Sequence, residues 1–71
     1  MDNELVLRTA KVMGYKILEP DEGHPDHRLL DTPDGYLIKL KNYPESRPDL
    51  REFELCNTIR WHMQHTYGIS L

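Results

Sequence analysis

The stretch Arg28-Leu29-Leu30-Asp31-Thr32-Pro33-Asp34-Gly35-Tyr36-Leu37-Ile38-Lys39-Leu40-Lys41 decides the fold. Two short apolar runs flank Thr-Pro-Asp-Gly, the composition of a tight chain reversal. Proline presets φ for the second turn position, aspartate accepts the third, and glycine takes a positive φ, which predicts a type I turn with a bulge. With Thr32 facing Tyr36, Leu30 pairs with Ile38 and Arg28 with Leu40. One face of the hairpin then carries Leu30, Tyr36, Ile38 and Leu40 and is expected to meet helices. The opposite face carries Leu29, Asp31, Leu37, Lys39 and Lys41 and is expected to be largely wet.

Upstream of the hairpin, Pro20 to His27 reads Pro-Asp-Glu-Gly-His-Pro-Asp-His, a loop without apolar residues. Before it, Tyr15 to Glu19 alternates weakly, with Tyr15 and Ile17 against Lys16 and Leu18, as a short strand would. Asn3 to Met13 has helical periodicity: Leu5, Val6, Thr9, Ala10, Val12 and Met13 share one side, and Glu4, Arg8 and Lys11 lie opposite. Asp2 or Asn3 is placed to cap its start, and Gly14 to end it. Downstream, Ser46-Arg47-Pro48-Asp49 fits a capping box with Ser46 as cap and Asp49 reaching back. A helix is expected from there to about Thr66, closed by Gly68, with Phe53, Leu55, Cys56, Ile59, Met63 and Tyr67 on one side. The order is helix, short strand, antiparallel hairpin, helix: a single small α+β domain over residues 1–71, its helices packed on a two- or three-stranded sheet. Both helices on one face, or one on each, would bury these stripes equally well.

At 71 residues, the chain is expected to bury only about 60% of its unfolded surface, so packing must occupy most apolar side chains and leave little room for a cavity. A formal charge of −3 with scattered Lys and Arg argues against nucleic-acid binding, which calls for clustered basic residues. One cysteine, Cys56, excludes an internal disulfide and fits a reducing compartment. The start Met1-Asp2-Asn3-Glu4 lacks the features of a signal peptide, and no apolar run approaches a bilayer span of about 20 residues, so cytoplasm is the expected location.

The four histidines occur as His24-Pro25-Asp26-His27 and His62-Met63-Gln64-His65, both H-x-x-H. Zinc accepts imidazoles, and Asp26 or Asp31 would complete a set. Both pairs lack the cysteine companions and spacer of a structural zinc site, so no metal or cofactor is expected, and a centre of His24, His27, His62 and His65 is the alternative. Cys56 sits on the buried stripe without a neighbouring base, the setting of a core residue and not of a nucleophile. No phosphate loop, nucleophile elbow or H-E-x-x-H helix is present, and no catalytic residues are expected. Trp61 falls opposite the Cys56–Met63 stripe, beside Leu50, Glu54, Asn57 and His65. A tryptophan among polar neighbours supplies the rigid contact area typical of interfaces, and packing of Trp61 on the first helix or on Ile69-Ser70-Leu71 as a core residue is the equal alternative. Trp61, Leu50, His65, Asn57 and Glu54 are therefore the partner-binding candidates.

Leu5-Val6-Leu7-Arg8-Thr9-Ala10-Lys11-Val12-Met13-Gly14-Tyr15 resembles the opening of the phage ABA-sandwich domain family, whose members often begin with an amphipathic helix ending in Val-Met-Gly-aromatic. Tyr15 stands where tryptophan is common, and the later part of the chain departs from the family pattern. The resemblance implies a small phage- or prophage-encoded α/β sandwich, and carries over no catalytic residues. The functional expectation is a small soluble protein-binding or accessory module without enzymatic activity, acting on a protein partner or by self-association. An acidic inhibitor that imitates nucleic acid is a further alternative, for which a charge of −3 is small.

Overall fold

In the computed structural model, which describes residues 2–41 and 43–71, the Asp2 carboxylate accepts the Glu4 and Leu5 amide protons at 3.0 and 3.3 Å and starts helix α1, Asn3–Met13. Gly14 ends it at φ +103°, a conformation that L side chains rarely adopt. The Gly14 and Tyr15 amides both reach back to the Ala10 carbonyl, at 3.1 and 2.9 Å, and close the last turn. Strand β1, Lys16–Leu18, leads through the proline-bearing loop into β2, Arg28–Asp31, and β3, Leu37–Leu40. The helix α2, Pro48–Tyr67, follows.

The strands form one antiparallel sheet in the order β1-β2-β3. The hairpin has the expected register, Leu30 opposite Ile38 and Arg28 opposite Leu40. The Thr32 amide donates to the Tyr36 carbonyl at 2.9 Å, and Gly35, at φ +91°, donates to the Thr32 carbonyl at 3.0 Å. Thr32 also works through its side chain: its hydroxyl donates to Asp34 and accepts the Tyr36 amide proton. On β1, Ile17 pairs with Leu30 and Leu18 with Leu29.

Both helices contribute to one core. Val6 and Ala10 of α1 join Leu55, Cys56, Ile59 and Met63 of α2, with Tyr15, Leu30 and Leu40. The inward face of the sheet is thus covered by the helices, and no element among the described residues covers the outward face, which bears Lys16, Leu18, Leu29, Asp31, Leu37 and Lys39. Among the described residues no helix is long and apolar enough to cross a membrane.

Several expected stripe residues lie outside this core. Tyr36 is 67% and Phe53 64% exposed, and Leu5, Val12 and Tyr67 are also exposed. The buried arc of α1 centres on Val6 and Ala10 and is rotated from the expected stripe, so that at about 100° per residue Leu5 and Val12 point away from it, as Phe53 does from the buried face of α2. The expected capping box is absent. Pro48 occupies the first helical position, so the cap falls on Arg47, which makes no side-chain cap hydrogen bond. Arg47 instead pairs with Asp49 at 3.0 Å, and Ser46 is left outside the helix.

One charged pair lies at the margin of the core. Arg28 is 4% exposed, and its Nη2 is 3.9 Å from Glu54 Oε1 on α2. The other Glu54 oxygen accepts the Lys41 amide proton at 2.8 Å. Removing one member of a buried pair strands the other charge, whereas replacing both with apolar groups is often neutral. Glu54→Ala is expected to cost about 2–4 kcal/mol, and Arg28→Met/Glu54→Leu to lie within about 1.5 kcal/mol of the parent. Urea denaturation measures both, and equal losses in the two variants would mean that the pair does not couple β2 to α2.

Candidate functional site

His62 belongs to the buried layer of α2, at 4% exposed. Its Nδ1 lies 2.6 Å from the Tyr15 hydroxyl and its Nε2 3.1 Å from Asp34 Oδ1. The Asp34 carboxylate can only accept, which assigns the ring proton to Nε2 and leaves Nδ1 to accept the phenol proton. The Nε2–Asp34 approach is bent away from hydrogen-bond alignment and acts as a close electrostatic contact. Tyr15 and Tyr67 both stand edge-on to the imidazole, with ring centroids 5.4 and 5.9 Å away.

Asp34, His62 and Tyr15 form one series of contacts. Burial above all, then the Tyr67 and Asp34 charges, pushes the Tyr15 phenol up to about 12. A nucleophile or base needs the reverse shift. Asp34 is held below the usual carboxylate range, first by the Thr32 hydroxyl and then by the His62 ring, against an opposing desolvation. The series joins the α1–β1 junction, the hairpin turn and α2.

With His62 turned inward, the residues one position before and three after it project along β3. Trp61 is 60% exposed, and its ring lies 4.7 Å from that of His65 at 38°. Between them and the hairpin runs a groove of about 290 Å³ lined by Tyr36, Leu37, Ile38, Trp61, His65 and Thr66, with His62 at its floor. Exposed Tyr36, Leu37 and Trp61 make this an apolar surface on a chain whose charge is −3.

The other partner-binding candidates are spread along α2. Asn57 is exposed and its carboxamide oxygen accepts a proton from Arg60 at 3.1 Å. Glu54 is engaged by Arg28 and Lys41. Leu50 is half-buried and lies three helical turns, about 16 Å, from Trp61. Trp61 and His65 are thus the two candidates at the groove. Tyr36 and Leu37 complete it, and the alternation of the hairpin gave no sign of Tyr36, because it placed that residue in the core.

The histidines do not converge. His24 Nδ1 and the His27 carbonyl are 3.0 Å apart within the loop, while His62 is buried and His65 lies against Trp61. Among the described residues no three His, Cys, Asp or Glu side chains are placed to hold a metal ion, which overturns the four-histidine centre. Cys56 is fully buried, with its thiol raised first by desolvation and then by Glu52. Comparison with protein-family models, curated proteins and solved structures finds no match.

The signs of the two shifts predict separate limbs of a stability profile. Tyr15 holds its proton more tightly when folded, so its contribution is complete below its ordinary value of about 10 and fades as pH rises toward about 12. Asp34 holds its proton less tightly when folded, so its contribution is present above about pH 4 and fades as pH falls below it. Tyr15→Phe is expected to cost about 1–3 kcal/mol at neutral pH, because a buried imidazole nitrogen loses its partner, and to flatten the alkaline limb. Tyr67, also raised, shares that limb. Asp34→Asn should flatten the acid limb and, by removing a charge that raises both phenols, weaken the alkaline limb in part. Denaturant midpoints measured across pH check this, and an unchanged alkaline limb in Tyr15→Phe/Tyr67→Phe would refute the assignment.

Proposed function

We propose that this chain is a protein-binding module whose contact surface is the groove between the hairpin tip and the C-terminal half of α2. The observation that carries the reading is the exposure of Trp61, Tyr36 and Leu37 together beside one concave surface. Large aromatic side chains in a desolvatable pocket are the usual centre of binding energy at protein interfaces. They stand here on a helix and a hairpin held by buried contacts, which limits the ordering cost of binding. The resemblance of residues 5–15 to the phage ABA-sandwich opening suits an accessory protein of phage or prophage origin.

Trp61→Ala and Tyr36→Ala are exposed changes and should each shift stability by less than about 1 kcal/mol. Each should weaken partner binding at least about tenfold, the scale of an interface anchor. Affinity capture from host lysate, followed by titration of the recovered partner with parent and variants of verified fold, measures this. A partner held equally by both variants would place the contact surface elsewhere.

A further inference from the structure

The groove runs beside β3, which is an outer strand of the sheet. Thr32 and Tyr36 exchange a backbone hydrogen bond across the hairpin, and hydrogen-bonded pairs alternate along an antiparallel ladder. Tyr36, Ile38 and Leu40 therefore turn their backbone groups toward β2, while Leu37, Lys39 and Lys41 turn theirs to the free edge. The Lys41 amide is occupied by the Glu54 carboxylate. Leu37 and Lys39 leave two N–H and two C=O groups facing outward at the position where the groove opens.

We infer that this edge accepts an extended acidic segment of a partner protein as an added fourth strand, an inference that rests on the binding-module reading. The side chains at the edge define the alternation of the incoming strand. Residues opposite Leu37 and Lys39 project on the outward face of the sheet. That face carries exposed Lys16, Lys39 and Lys41 against Asp31 alone, and none of these lysines makes an ion pair among the described residues. Its sign is opposite to that of the molecule, so carboxylates suit those positions. The residue opposite Ile38 projects toward α2, over Trp61 and His65, and suits a large apolar side chain. The segment is thus acidic and apolar by turns. Main-chain hydrogen bonds supply affinity and the alternate side chains specificity, as in other strand additions. A second copy of this chain fits worse, since pairing two β3 edges brings the lysines of both into one cluster.

The probe is the peptide acetyl-Glu-Val-Glu-Phe-Glu-Val-Glu-amide, titrated into the full chain with Trp61 emission and amide hydrogen exchange as readouts. The control peptides are the same sequence with lysine for every glutamate, and the same sequence N-methylated at the two glutamates flanking Phe. Saturable binding is expected, with the exchange of the Leu37 and Lys39 amides slowed at least about tenfold on saturation. Both controls should bind at least about tenfold more weakly, and Lys39→Glu/Lys41→Glu should reverse the preference between the glutamate and lysine peptides. Binding that alters Trp61 emission while the Leu37 and Lys39 amides exchange freely overturns strand addition and leaves the binding-module reading standing. Equal affinity for either control, or no saturation at about millimolar peptide, also overturns it. Protection of those amides that rises with protein concentration alone would instead assign the edge to self-association.

Discussion

A single buried imidazole holds the layers of this domain in register. His62 receives Tyr15 from the end of α1 on one nitrogen and faces Asp34 from the hairpin turn with the other. Apolar contacts are non-directional and tolerate sliding, so the aliphatic and sulfur side chains of the core, Val6, Ala10, Leu30, Leu40, Leu55, Cys56, Ile59 and Met63, specify volume more than orientation. A buried polar group is stricter, because any shift that separates it from its partners leaves it desolvated and unpaired. The constraint reaches the surface through helix geometry. At about 100° per residue, pointing His62 inward sends Trp61 to the side of α2 that flanks β3, and His65 one turn further along the same side. The groove is set by the core.

Those parts of the fold that depend on a few adjacent residues were legible in the sequence. The hairpin register follows from Thr32-Pro33-Asp34-Gly35, because turn chemistry alone fixes which residues oppose each other. The ends of α1 follow from Asp2 and Gly14 for the same reason. The start of α2 was misread as Ser46 because a capping box and a proline at the first helical position compete. Proline restricts the residue before it to non-helical conformations, which puts the cap on Arg47.

What the sequence concealed is decided by contacts distant along the chain. A hydrophobic wheel ranks Phe53 above His62, yet Phe53 is exposed and His62 buried. Tyr15 and Asp34, far from His62 along the chain, reverse that order. The candidate site was half visible. Trp61 and His65 stood out as apolar and aromatic side chains on a polar helix face, but their companions Tyr36 and Leu37 come from the other end of the sheet. Glu54 has the wheel position of a surface residue and is taken up by Arg28 and the Lys41 amide, a contact that only the placement of β3 beside α2 creates.

The location of the surface follows from size. A chain of 71 residues builds one small core and has little depth in which to wall a pocket. An outer strand flanked by a helix offers a binding surface without a cavity, since its outward backbone groups and the gap beside them exist whatever the core contains. Such an edge is also an aggregation hazard, and lysines are a common defence against like edges. Lys39 and Lys41 fit that role here, and under the proposed strand addition the same charges would discriminate among partners. The field of the whole molecule, at −3, opposes an acidic chain at long range. At physiological ionic strength it is screened within about 8 Å, so an approaching acidic strand meets the net charge weakly and the lysines of the edge strongly. Under the proposed strand addition, selectivity for the segment is exercised at contact distance, by Lys39 and Lys41 on an edge whose register the Thr-Pro-Asp-Gly turn determines.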